Sequence, residues 1–489
     1  MKTPIDFSAS PQQTFFIGAP ERRLAEGIGV DVFLARAHNA PPTEREDLWE
    51  QYFALLDEAR PGFLRVGLSS SRDGVDAMCP WDDRAGRFDP THRVWAIIKR
   101  IDDWCVRHDT NWMLDPWWTP LSMQVPAPAG AEGWRGAPAD PARYARAFIV
   151  PLIQHVRGAL RVQRCTWLGL FNEPIWGQLS RDPNNFGVRE GDDQVKVLAE
   201  VYHAVRTALD GATFKDLQLV GPGHLCAWQF PPAEFLASGV DPSPDLGAWD
   251  LHAYFYRPDW FTEPTPDFPA THDFLQFTIR RMSELAHRQK KPFFITELGS
   301  FFYGRPFWGE RDYETLGSHS AAILDAQFIV RALAEGVDGF CRWAWCVNRT
   351  NDGRWSMAEW EGREAITPSP CVFPVYRALM NAIRPRAEVY AIRNAYSAGN
   401  RPRVHATAVR NPDGRRTMVL VHDMPGRNAD VLVDFPPDWA GLTLRRTITD
   451  EMRKNEAAAA ITVPAQAPCT VELMITPYSV TVLEEAAPA

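Results

Sequence analysis

The sequence predicts an α/β chain, a (β/α)8 barrel followed by a β-sandwich. Three observations predict it. Eight short apolar, β-rich runs alternate with helix-period segments. The runs recur about every 45 residues, room for a strand, a helix and their loops. After Arg384-Pro385-Arg386 the long helical segments stop and short alternating runs take over. A length of 489 residues also exceeds one ordinary domain of about 100–200 residues.

The barrel strands are expected at Ile28–Leu34, Phe63–Leu68, Asn111–Asp115, Thr166–Phe171, Leu217–Val220, Trp249–Tyr254, Pro292–Glu297 and Gly339–Trp345. Between them the spacing predicts helices at Glu44–Ala59, Thr91–Arg107, Pro141–Arg161, Asp192–Leu209, His272–Gln289 and Ser318–Glu335. The fifth connection is less clearly helical and reaches Pro232–Leu236 at most. A helix at Phe373–Ile383 closes the set. Strands that alternate with helices make a parallel sheet. An open doubly wound sheet is the alternative, but no Gly-x-Gly-x-x-Gly follows the first strand.

Three segments result: a lead-in over 1–19, a barrel over 20–384 and a sandwich over 385–489. Phe15-Phe16-Ile17 of the lead-in can add a strand to the sandwich. The sandwich strands are expected at Val389–Arg393, Arg403–Val409, Thr417–Val421, Asp430–Val433, Leu442–Ile448, Val471–Ile475 and Pro477–Leu483. Asn411-Pro412-Asp413-Gly414 is a hairpin signal between two of them. Ala457–Ala460 reads as a low-complexity tract.

Composition excludes several partners. With 45% hydrophobic and 23% charged residues the chain can bury a sizeable core. A net charge of −9 provides no basic field for phosphates, so no nucleic-acid partner is expected. No stretch approaches about 20 uninterrupted apolar residues, so no membrane span is expected. Met1–Pro11 lacks a signal-like apolar run. The 8 cysteines are scattered without a Cys-x-x-Cys pair, which suits reduced thiols. Together these predict a cytoplasmic protein. The unusual count is 19 tryptophans, flat amphipathic rings suited to cores and to the faces of sugars or bases. Several (Trp117, Trp118, Trp176, Trp228, Trp260, Trp308, Trp345 and Trp355) fall at or just after expected strand ends.

Reactive groups of such a barrel project from the C-terminal ends of its strands. Strand four runs into Asn172-Glu173-Pro174 and strand seven into Thr296-Glu297-Leu298-Gly299. The two glutamates are separated by about 41 residues for each of three intervening units, which matches the barrel repeat. Two facing carboxyl groups are what glycosidic cleavage needs: one protonates the leaving oxygen, the other attacks carbon or activates water.

On these motifs the chain resembles the clan A glycoside hydrolases, retaining enzymes built on (β/α)8 barrels and similar to families five and thirty-nine. The resemblance covers roughly residues 20–384, and the trailing sandwich is similar to those of families thirty-nine and thirty. It implies Glu173 as acid/base and Glu297 as nucleophile. It further implies that Arg65 keeps Glu297 ionised, that Asn172 contacts a sugar 2-hydroxyl, that Tyr254 donates to Glu297 and that His252 touches substrate. A tryptophan of strand eight would floor the sugar subsite. Trp343 and Trp345 are expected on one face, and Trp345, nearer the strand end, is the choice. Asp115-Pro116-Trp117-Trp118 stands where the clan commonly has a histidine; Asp115 either accepts from sugar hydroxyls or caps a loop, and Trp117 lines the mouth. His224 of Gly221-Pro222-Gly223-His224 is a further candidate.

The expected substrate is a small glycoside or oligosaccharide. The long connections after strands three, four, six and seven favour exo-action on a terminal sugar. Neither cofactor nor metal is expected, since Ala37-His38-Asn39 after strand one lacks a His-x-His pair. An endo-acting β-glycanase of the same clan, or an inactive carbohydrate-binding barrel, are the alternatives.

Overall fold

Eight parallel strands close into a barrel because every connection between them is long enough to cross over. The computed structural model describes residues 13–34, 40–69, 78–129, 134–174, 186–225, 235, 237–256, 271–301, 318–346, 356–360, 364–395, 404–424 and 426–486. Side chains at 224–225, 254–256, 271–277 and 300–301 also lie outside the description. Barrel strands one to eight are Ile28–Phe33, Phe63–Leu68, Asn111–Pro116, Cys165–Leu168, Gln218–Leu225, Ala248–Tyr256, Phe293–Phe301 and Gly339–Arg342, in that order around the closed sheet. Strand two is buried along its whole length, as a strand covered on both faces must be. That is why these segments read as continuous apolar runs instead of alternating ones.

Helices occupy Glu46–Ala59, Val94–His108, Gln194–Gly211, Thr271–Arg288, His319–Ala334 and Val372–Ala382. Arg60 and Asp109 end the first two in left-handed conformations. The helical run after strand three is composite. Ordinary turns at Pro141–Tyr144 and Val150–Ile153 alternate with wider π turns at Ala145–Ile149 and Gln154–Ala159. Pro151, inside this run, has no N–H for the helical ladder. The expected fifth helix falls almost entirely outside the described residues.

Contacts group the chain into two compact units, one of residues 29–299 and 339–368, the other of 1–28, 300–338 and 369–489. The second unit holds a nine-stranded sheet. Gln13–Arg23 joins it, antiparallel to Glu388–Ala395 and parallel to Ala429–Asp434. Helices His319–Ala334 and Val372–Ala382 pack on one side of its strands Val404–Arg410, Arg416–His422 and Ser479–Glu485. The contacts therefore divide the chain differently from the composition change at 384/385. Among the described residues no helix is long and apolar enough to cross a membrane. The seven described cysteines are free thiols.

The sheet curls around a core of its own. Phe15, Tyr390, Ala406, Leu420, Val431, Leu444, Leu473 and Leu483, from eight different strands, meet in one cluster around Trp439. Trp439 is fully buried, stacks on Phe435 at 5.1 Å and meets Tyr390 edge-on at 5.7 Å. Strand Glu456–Thr462 contributes only the partly buried Ile461 against that cluster; it is a mostly exposed edge strand that contains the Ala457–Ala460 tract. Trp439→Ala should cost roughly 3–5 kcal/mol, the usual loss for a large aromatic removed from a packed core. Urea denaturation of the variant measures it, and a midpoint equal to wild type would contradict this packing.

Candidate active site

Arg65, on strand two, is 1% exposed, and all five of its N–H donors are taken. Nε and Nη2 donate to Asp115 Oδ2 at 2.9 and 2.5 Å. Nη1 donates to Asp31 Oδ2 at 2.8 Å and to Glu297 Oε2 at 2.6 Å. The second Nη2 proton goes to Asn172 Oδ1 at 2.8 Å. One guanidinium thus joins strands one, two, three and seven and the turn after strand four. Burial works to lower the Arg65 pKa, but Asp115, Asp31 and Glu297 together hold it well above its ordinary value. Asp31 moves up as well, first through burial and then through its two carboxylate neighbours, against the pull of Arg65.

The approach of Asp115 depends on a glycine. A Cβ at Gly169 of the strand-four end would lie 2.9 Å from Asp115 Cγ. Asp115 is buried, and its contact with Arg65 replaces both functions expected for it, the sugar contact and the loop cap.

Glu173 follows strand four in a left-handed conformation, φ 50°, which is uncommon for a residue with a side chain. Its N–H donates to Gly223 O at 3.1 Å, in the turn region of strand five. Glu297 is 5% exposed within strand seven. Between the two stands His252, whose Nδ1 lies 3.0 Å from Glu173 Oε1 and 3.4 Å from Glu297 Oε2. His252 is fully buried between the two glutamates. Burial foremost lowers its pKa to about 4, which makes the ring neutral at pH 7.

Ligand atoms of Glu173, His252 and Glu297 lie within 4.8 Å of one another, a cluster able to surround a cation. Arg65 already occupies Glu297 Oε2, however, and a metal there would face a guanidinium held on the same oxygen. The donor set does not suit a metal.

Trp117, Phe33 and Trp343 form the aromatic wall. Trp117 stacks on Phe33 at 4.3 Å and on Trp343 at 5.6 Å, and Arg65 lies 5.6 Å from the Trp117 ring. A Cβ at Gly67 would press on Trp117 Nε1. Trp345 is not part of this wall: it is fully buried and meets Tyr52 of helix Glu46–Ala59 edge-on at 5.9 Å. The expectation that both indoles share a face fails because the strand ends at Arg342, so two-residue alternation no longer governs them. Trp343 stands where Trp345 was expected. Beside the wall, Arg135 lies over Trp118 at 3.6 Å.

His224 and Tyr254 lie on strands five and six, and their side chains are outside the described residues. So are Trp176, Trp228, Trp260, Trp308 and Trp355. Sequence reasoning missed Asp31, Phe33 and Asp250. Asp31 sits in the apolar strand Ile28–Phe33, and Asp250 shares a strand face with His252 by two-residue alternation; a charge inside a fully buried strand was the signal for both.

No family model matches the sequence, and no curated protein matches it. Solved structures do share the fold. The catalytic domain of family 30 xylanase C from Talaromyces cellulolyticus superposes with a TM-score of 0.62 at 12% identity, covering 97% of this chain and 100% of that one. A glucosidase from Croceicoccus marinus gives 0.60 at 13%, covering 98% and 100%. A family 51 α-L-arabinofuranosidase from Bifidobacterium longum gives 0.60 at 13%, covering 97% and 100%. The match extends over barrel and sheet alike.

Proton linkage through His252 has a definite sign. Its folded-state pKa lies below that of an exposed histidine, so the unfolded chain binds the proton more tightly. Stability is then fully present above about pH 6.5 and falls by about 3 kcal/mol as the pH drops towards 4. His252→Asn keeps a donor near the Nδ1 position and does not titrate. It should lose correspondingly less on acidification, measured by urea denaturation at pH 7 and pH 4.5. Equal acid sensitivity in both proteins would contradict the assignment.

Proposed function

We propose that the chain is a retaining glycoside hydrolase that removes a terminal sugar from small glycosides or oligosaccharides by double displacement. One observation carries the reading: the glutamate after strand four and the glutamate of strand seven bring their oxygens within 4.8 Å, and Arg65 donates to Glu297. Retaining enzymes hold their carboxyl groups about 5–5.5 Å apart, whereas inverting ones leave roughly 6.5–9.5 Å for a water.

The asymmetry divides the labour. Glu297, held by the guanidinium through Oε2, attacks the anomeric carbon with its carboxylate. Glu173, beside His252, protonates the leaving oxygen as the glycosyl–enzyme ester forms. Glu173, now a carboxylate, then takes a proton from water, whose oxygen displaces Glu297 with a second inversion. Asn172 Oδ1 is engaged by Arg65, so its NH2 is the group available to the sugar 2-hydroxyl. Trp343, with Trp117 beside it, offers an indole face to the ring.

Exo-action rests on the length of the connections after strands three, four, six and seven. Proteins sharing the fold include a family 30 endoxylanase from Clostridium papyrosolvens. Internal cleavage of an oligosaccharide before any monosaccharide appears would favour that second reading.

Glu297→Ala should abolish turnover of a nitrophenyl glycoside, and azide should restore it with the inverted glycosyl azide as product. Glu173→Gln should slow substrates with poor leaving groups by about 10²–10⁴-fold and activated aryl glycosides far less. Product analysis by NMR and rates against leaving-group pKa check both. Wild-type turnover in Glu297→Ala would refute the reading, as would loss of activity to a chelator in the unmodified enzyme.

A further inference from the structure

We infer that Asp250 is a positioning residue that aims both glutamates through the two irregular segments of the barrel sheet, an inference that rests on the glycosidase reading above. The ladder between strands five and six is regular to Gly221 and resumes, shifted, at His224. The ladder between strands seven and eight is regular to Ile295 and resumes, shifted, at Leu298. Gly223 lies inside the first break, Thr296 and Glu297 inside the second. A break of this kind leaves a segment without its ladder bonds, so something else must fix its direction.

The Asp250 carboxylate reaches into both breaks. Oδ1 accepts from Gly223 N at 2.6 Å, and Oδ2 accepts from Thr296 Oγ1 at 2.6 Å. Gly223 has φ 66°, and a Cβ there would lie 3.0 Å from Phe171 O, so the turn relies on glycine. Its carbonyl in turn receives the N–H of Glu173. The chain of contacts runs from Glu173 through Gly223 and Asp250 to Thr296, the residue joined to Glu297. Asp250 is 3% exposed and does not reach the space between the glutamates through any described contact.

The ionised carboxylate accepts both bonds; a proton on Oδ1 would face the Gly223 N–H, and a proton on Oδ2 would reverse the bond to the Thr296 hydroxyl. Burial foremost raises the Asp250 pKa, to about 6, while Thr296, Gly223 and Arg65 pull it down and Asp115 adds to the rise. The other groups near it are Tyr202, itself pushed up by burial first and then by Asp250, with His252 on its own strand and Glu297 beyond Thr296. Acidification through about pH 6 therefore loosens the link, and activity falls with it.

The test measures kcat and KM for a nitrophenyl glycoside from pH 4.5 to 8 in wild type, Asp250→Asn, Thr296→Val and Thr296→Ser, with Tm for each. Asp250→Asn and Thr296→Val should lower kcat by about 10–100-fold, the scale of a misaimed catalytic group, at nearly unchanged KM. Thr296→Ser retains the hydroxyl and should recover most of the rate. The double variant should be no slower than the worse single one, because both cut the same link. The acid limb of kcat/KM should shift in Asp250→Asn. Thr296→Val keeps the inference testable if Asp250→Asn does not fold. Wild-type kcat in Thr296→Val, multiplicative losses in the double variant, or losses that track Tm would overturn it. Glu297→Ala separates the two readings. If it is inactive and azide-rescued while Thr296→Val is normal, Asp250 alone is wrong; if it turns over like wild type, the glycosidase reading fails.

Discussion

Everything at the mouth of the barrel depends on one buried guanidinium. Arg65 meets three carboxylates and an amide with five donors, so no proton is left over and none of the four partners lacks a bond to it. A buried charge is tolerable only when it is paired and its hydrogen bonds are met. A lysine could not serve here, because its three donors cannot span strands one, three and seven together with the Asn172 turn. The arrangement also explains the small residues around it. Gly169 lets Asp115 come close, and Gly67 makes room for the indole of Trp117 that borders the guanidinium.

Around that pin the barrel changes character along its strands. Part of the ladder is regular, as between Phe63–Leu68 and Asn111–Pro116, where six consecutive residues pair without interruption. Another part breaks its register beside the proposed catalytic groups and places Glu173 in a left-handed conformation. Unfavourable backbone states of this kind cost of order 1–3 kcal/mol each and persist only where the surroundings over-determine them. Arg65, His252 and Asp250 are those surroundings. The regular part supplies stability, and the polar network uses some of it to aim side chains that a continuous ladder would turn elsewhere.

The nine-stranded sheet follows a different logic. Alternate residues of eight strands converge on Trp439, so its inner face is specified by apolar alternation alone. Its strands Val404–Arg410 and Arg416–His422 are buried on the second face too, under the helices His319–Ala334 and Val372–Ala382, and read as nearly continuous apolar runs. The edge strand Glu456–Thr462 has neither signal. It meets the core only through Ile461, so alanines suffice along most of it, and its sequence looks like a tract instead of a strand.

By itself the sequence determined the order and type of elements: eight β runs spaced by helices, then short strands, with a glutamate ending strands four and seven. Periodicity and spacing are local, and burial on one or two faces writes them directly into the chain. Asn172, Glu173 and Glu297 were legible because each follows an apolar run, and Arg65 because it is a charge inside one. Only the tertiary structure decided who meets whom. It placed His252 between the glutamates, gave Asp115 to Arg65, and buried Trp345 against Tyr52 while Trp343 joined Trp117. It also brought Asp31 and Asp250 into the site. These are contacts between residues tens to hundreds of positions apart, fixed by barrel closure and by the breaks in its register. Two-residue alternation cannot foretell where such a break falls, and a one-residue shift turns a side chain to the opposite face.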